Sequence, residues 1–138
     1  MVFAGRIAED ILLHYPAGTT TKIVERPASD ADEKNQERLM PKLRKIMSQY
    51  VGVSRSGDGL REAIKQIDRL EKTNKSARFR NALTTAKMAA VSGLLREESR
   101  GGHQRSDFPN EEEAFKKRSF LTLAYANKLA GKVLDGVL

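Results

Sequence analysis

The sequence predicts an all-α fold: an antiparallel three-helix bundle with an additional N-terminal helix and a short C-terminal helix. Three observations carry that prediction. Apolar residues recur three and four positions apart in successive segments, which is the period of a helix with one buried face. Capping and stop residues punctuate those segments, and only short polar stretches join the central three. No internal repeat, long heptad run or low-complexity tract suggests another architecture.

The first helix is expected from Val2 to Tyr15, with Phe3, Ile7, Ile11 and Leu12 on one face. His14 falls in its last turn, where an imidazole commonly meets terminal carbonyls, and Pro16 and Gly18 stop it. Residues 16–37, PAGTTTKIVERPASDADEKNQE, are polar, hold two prolines and show no sustained period, so a surface loop or linker is expected there. Residues 38–138 then read as the bundle domain. Met40, Leu43, Met47 and Tyr50, flanked by Leu39, Ile46 and Val51, make the stripe of a second helix that ends near Gly52. Pro41 is tolerable there only in the first turn.

A third helix is capped by Asp58 and buries Leu60, Ile64, Ile67 and Leu70. The fourth runs from about Ser76 to Glu98 with Phe79, Leu83, Ala86, Ala90 and Leu94 inward. Gly93 and several alanines allow a neighbour to approach closely. The stretch REESRGGHQRSDFP, residues 96–109, then breaks the helical pattern. An extended piece leads to a last helix capped by Thr122.

A chain of 138 residues suits one domain. It has no cysteine, which excludes disulfides and thiolate metal sites and fits a cytoplasmic location. The N-terminal run carries acids and lacks a small-residue cleavage site, so no signal peptide is expected. No apolar stretch approaches the roughly 20 residues that span a bilayer. The net charge of +7 sits in the middle third: residues 42–80 hold eleven Lys and Arg against four Asp and Glu. Solvated helix faces account for that excess more simply than a nucleic-acid groove. Only 6% of residues are aromatic, too few to interleave with charge for base stacking. A stand-alone basic helical module binding RNA, DNA or an acidic protein is the alternative from another functional class.

The usual catalytic patterns fail. Gly57 and Gly59 begin a GxGxxG, but Glu62 stands at its third glycine, and no P-loop or GxSxG elbow exists. His14 and His103 lie in different segments with no ligand spacing around them, so no metal site is expected. Glu97 and Glu98, adjacent on a helix, would point about 100° apart and suit solvation or ion pairing better than acid–base work.

The remaining concentration of chemistry is REESRGGHQRSDFP. From spacing alone it is a helix C-cap at αL-tolerant Gly101 and Gly102, with arginines and acids within reach of one another before a Phe-Pro stop. A docking loop is the competing reading.

That stretch closely resembles the ESRGxHxRxDFP motif of the succinate dehydrogenase and fumarate reductase flavoprotein family. VFAGRIAEDI is similar to the helix that leaves the flavin domain in that family. QYVGVSRSGDGLREAIKQI and RNALTTAKMAAVSGLLREESRGGH resemble two further segments of its C-terminal domain, in the same order. The L-aspartate oxidase branch fits best. The resemblance implies that residues 1–15 form the helix leaving an FAD domain and that the chain is a piece of a longer enzyme. That enzyme would oxidise L-aspartate to iminoaspartate on FAD, with oxygen or fumarate as final acceptor and quinolinate synthase consuming the product. Catalytic and FAD-binding residues are expected upstream and none in this piece, which would be inactive alone and could self-associate. The resemblance carries over onto Glu98, Ser99, Arg100, Gly101, His103, Arg105, Asp107, Phe108 and Pro109 as a loop seating the helical domain on the flavin and capping domains. Gly102 and Gln104 depart from the family pattern.

Overall fold

Leu60, Ile64, Ile67 and Leu70 share one helical face by spacing, and in the computed structural model that face is the centre of the core. The structure describes residues 2–14 and 30–138. Along the chain come α1 (Val2–His14), α2 (Asp30–Tyr50), β1 (Ser54–Arg55), α3 (Gly57–Thr73), α4 (Ala77–Leu95), β2 (Gln104–Arg105), a 3-10 turn (Glu113–Phe115) and α5 (Leu123–Leu134). The all-α expectation holds.

α3 packs most extensively on α4 and also on α2, while α5 closes against α3 and α4. Phe79, Leu83, Ala86, Ala90 and Leu94 face inward from α4 as the period requires, joined by Val91. α5 is no appendage: Ala126, Leu129, Ala130 and Val133 are buried in the same cluster. Each large apolar side chain so buried contributes about 1.5–3 kcal/mol relative to exposure.

Several boundaries differ from the sequence expectation. α2 begins at Asp30, so Pro41 lies well inside it and residues 30–37 are helical instead of linker; residues 15–29 lie outside the described residues. Glu33, Lys34, Gln36, Glu37 and Arg38 are good helix formers that leave no apolar period to read. The buried line of α2 is Leu39, Leu43 and Ile46, with Met40, Met47, Tyr50 and Val51 at the edge of the core, a rotation from the expected stripe.

α3 starts two residues early because Ser56, not Asp58, is its cap: the Ser56 hydroxyl accepts from the Gly59 amide at 3.1 Å. Ser76 and Thr122 cap α4 and α5 in the same way. α4 stops at Leu95, three residues before Glu98. A two-residue parallel ladder, Ser54 opposite Gln104 and Arg55 opposite Arg105, ties the loop after α4 to the entry of α3 and was not expected.

α1 keeps its apolar face uncovered, with Ile7 59%, Ile11 51% and Leu12 80% exposed. The side chain of Phe3 lies outside the described residues. His14 Nδ1 lies 3.1 Å from the Asp10 carbonyl oxygen, the helix-end contact its position implies.

Candidate functional site

A helix that ends in the interior leaves carbonyl oxygens that need donors. At the end of α4 one side chain supplies them. Arg105 is only 2% exposed, and its Nη1 donates to the carbonyls of Gly93 (2.8 Å), Leu94 (3.0 Å) and Arg96 (3.2 Å). Its Nε and Nη2 form a fork onto the two oxygens of Asp107, both at 2.8 Å. Asp107 Oδ2 in turn accepts from the Gly57 amide, the first residue of α3, at 3.0 Å. The Arg105–Asp107 pair thus sets a cation at the negative end of one helix and an anion at the positive end of the next, both favourable.

Gly57 has to be small for this. A Cβ there would lie 2.8 Å from Asp107 Oδ2 and 3.1 Å from Arg105 Nη2. The first glycine of the pair that failed as a dinucleotide fingerprint is a packing requirement of the clasp.

A second buried charge organises the rest of the loop. Glu98, 0% exposed, pairs with Arg96, takes Arg100 Nε at 3.1 Å on Oε2, and accepts the Glu112 amide at 3.0 Å. Arg100 also holds Glu111 at 2.7 Å, and Arg96 donates to the Phe115 carbonyl. Between them the chain reverses: Arg100 and His103 exchange backbone hydrogen bonds of 2.8 and 3.0 Å across Gly101, whose φ of +57° suits glycine. Ser99 Oγ bridges the two limbs, accepting from the Arg105 amide at 2.8 Å and donating to the Phe108 carbonyl at 2.8 Å.

The electrostatics follow from these partners. The Arg105 fork holds the Asp107 carboxyl well below the usual range; partial burial opposes this, and the Gly57 amide adds to it. Burial alone would raise Glu98, but the Glu112 amide and the guanidiniums of Arg96 and Arg100 outweigh it, and the net shift is downward. His103 is pushed down, first by burial and then by Arg55, Arg105 and Arg96, against the opposing bond to the Arg96 carbonyl. That bond, 3.0 Å from Nε2, requires the tautomer with its proton on Nε2. The ring is thus tied to a backbone carbonyl within a set of arginines.

The structure brings every motif residue named from the sequence into this one loop. Glu98 and Arg105 are buried, Ser99, Arg100 and His103 half-buried, and Gly101, Asp107, Phe108 and Pro109 face outward. Glu98 is ion-paired, as expected of an acid at this bend, while Glu97 is exposed. Sequence reasoning missed Arg55, Gly57, Arg96, Glu111 and Glu112 as members of the cluster. The signal available was Ser56-Gly57, a cap followed by a residue without a side chain. Among the described residues no group of three or more His, Asp or Glu is placed to hold a metal ion, and no helix is long and apolar enough to cross a membrane.

The sequence profile of the fumarate reductase flavoprotein C-terminal domain matches residues 40–80 and 72–133, which include the clasp, the second half of α2, all of α3 and α4, and nearly all of α5. The chain belongs to this family. Its helical region is therefore the C-terminal helical domain of the succinate dehydrogenase and fumarate reductase flavoprotein group. Curated relatives agree. An uncharacterised FAD-dependent oxidoreductase of Methanocaldococcus jannaschii is 34% identical over 69% of this chain and 20% of its own length. An L-aspartate oxidase of Rhodospirillum rubrum is 32% identical over 86% of this chain and 43% of its own. One from Caulobacter vibrioides is 41% identical over 59% of this chain and 15% of its own. The chain therefore spans less than half the length of these relatives. No solved structure matches it significantly.

Proposed function

We propose that this chain is the C-terminal helical domain of an FAD-dependent L-aspartate oxidase acting in the cytoplasm. The observation that carries the reading is the likeness to the Rhodospirillum rubrum L-aspartate oxidase across 86% of the chain, within a family match that spans the clasp. In the intact enzyme proposed here L-aspartate would give up a hydride from its Cα and a proton from its amine, leaving iminoaspartate. A bound flavin would supply the two-electron acceptor, with oxygen or fumarate as final acceptor, and quinolinate synthase would consume the product on the way to NAD. None of the residues described above is assigned to flavin or substrate. The domain alone is inactive, since the reaction needs a bound isoalloxazine and a positioned substrate.

Its role is to close the enzyme by docking on the flavin and capping domains. The uncovered apolar face of α1 and the outward Phe108 and Pro109 supply surface for this, and a chain prepared without those domains is free to self-associate. A second reading, the same domain in another dicarboxylate flavoprotein, is favoured by the fumarate reductase name of the matching profile.

The test begins with the gene upstream of the codon for Val2 and the intact protein it encodes. A GxGxxG strand-turn-helix upstream, flavin absorbance in the purified protein and hydrogen peroxide release from L-aspartate are expected. Release of electrons from succinate in place of aspartate would select the second reading, and absence of flavin from the intact protein would refute both.

A further inference from the structure

Four arginines surround the end of α4, and three have their acceptors. Arg105 has Asp107 and the helix carbonyls, Arg100 has Glu98 and Glu111, and Arg96 has Glu98 and the Phe115 carbonyl. Arg55 has none among the described residues: its Nε is buried without a hydrogen-bond partner, and its guanidinium makes no ion pair there. Its backbone is held in place all the same. The Arg55 carbonyl accepts from the Ser106 amide at 2.9 Å, and Nη1 lies 3.3 Å from where a Cβ on Gly93 would sit. Burial, and then the neighbouring charge of Arg105, both work against its ionised form.

A charge kept half-buried without a partner weakens a fold, and an apolar side chain of the same size would serve packing better. Such a residue is expected where a partner arrives from outside. Arg55 is half-buried, and its guanidinium lies at the α4 end beside Gly93 and Arg105. There Arg55, Arg96, Arg100 and Arg105 face Glu98, Asp107 and Glu111, one negative charge short of balance, so a single carboxylate brought in on a protein surface is favoured.

We propose that Arg55 is the receptor for one acidic side chain, Asp or Glu, presented by an adjoining domain of the same polypeptide, an inference resting on the docking role above. The carboxylate completes the charge balance of the clasp, so docking reports directly on whether the α4 end and the β1–β2 ladder are assembled.

The test follows the Arg55 Nε–Hε resonance of the 138-residue chain by NMR as acetate replaces chloride at constant ionic strength, with succinate as a second probe. A saturable shift with acetate, absent in Arg55→Gln, and succinate binding tighter by no more than about twofold, its statistical advantage, are expected. No saturable shift, or the same shift in Arg55→Gln, overturns the site. Succinate binding about tenfold or more tighter overturns the single-carboxylate occupant in favour of a free dianion.

Arg55→Met supplies a reading independent of ligand. Its thermal midpoint should equal or exceed that of the parent chain, and a fall of about 10 °C would make Arg55 a structural residue and end the proposal. Flavin content and aspartate turnover of the intact enzyme test the family role separately and do not depend on this titration.

Discussion

Arg105→Ala tests the clasp most directly. The substitution removes the three hydrogen bonds that Nη1 makes to carbonyls at the end of α4, at 2.8, 3.0 and 3.2 Å, and both bonds to Asp107. Taking one partner from a buried ion pair typically costs about 3–5 kcal/mol. Two features place this case at the low end. The Asp107 side chain is 38% exposed and can rehydrate, and the space left by the guanidinium is lined by carbonyls that water can serve. The expected loss is about 3 kcal/mol, against about 5–15 kcal/mol for a domain of ordinary stability. At about 3 °C per kcal/mol for a chain of this size, the melting midpoint should fall by about 9 °C. Urea unfolding followed by circular dichroism at 222 nm measures it. Arg105→Lys should recover little, since an ammonium cannot fork onto Asp107 while capping three carbonyls. A loss below about 1 kcal/mol for Arg105→Ala would refute the clasp as a stabilising element.

Other outcomes follow from the same geometry. The folded pKa of His103 lies below its ordinary value, so the unfolded chain binds the extra proton more readily; stability is complete above about pH 6.5 and declines as pH falls through the folded value. Glu98 and Asp107 are also depressed and add a second decline from about pH 4 downward; melting curves against pH should show both, and His103→Gln should remove only the first. Gly57→Ala forces its methyl against Asp107 and Arg105 and should cost about 2 kcal/mol in urea unfolding. Gly101→Ala should cost about 1 kcal/mol for its positive φ, whereas Gly102→Ala, with open space around it, should be close to neutral.

The core was legible because burial writes a period into sequence. α3 and α4 each present one apolar line, and every residue on those lines is buried. The start of α2 was not legible, because residues 30–37 gain their helix from chain continuity and propensity without an apolar face to mark it. β1 and β2 are two residues each, too short for a period of two to show. At the loop, the presence of paired charges could be read, but their partners could not. Arg105 bonds mainly to backbone carbonyls, which carry no sequence signal, and Asp107 reaches an amide 50 residues away. The first turn of α3 is served from both sides, the Gly57 amide by Asp107 and the Gly59 amide by Ser56, and Asp58 is left to pair with Arg61 at 3.0 Å.

Why so much polar chemistry gathers at one bend then has a physical answer. The end of α4 and the start of α3 meet there, presenting acceptors and a donor that apolar packing cannot satisfy. Arg105 and Asp107 satisfy both ends with one pair, and Glu98 with Arg96 and Arg100 folds the outer limb down over them. These charges are engaged with one another inside the domain. Under the docking proposal a partner would also meet Phe108, whose ring covers the Arg105 guanidinium at 5.0 Å, Pro109 beside it, and the half-buried Arg55. Phe108→Ala separates the two roles. Loss of domain stability of well under that of Arg105→Ala, together with weakened association with the rest of the polypeptide, is the expected pattern. A stability loss equal to that of Arg105→Ala would mean that the ring serves the clasp alone, and the docking face would have to be sought on α1.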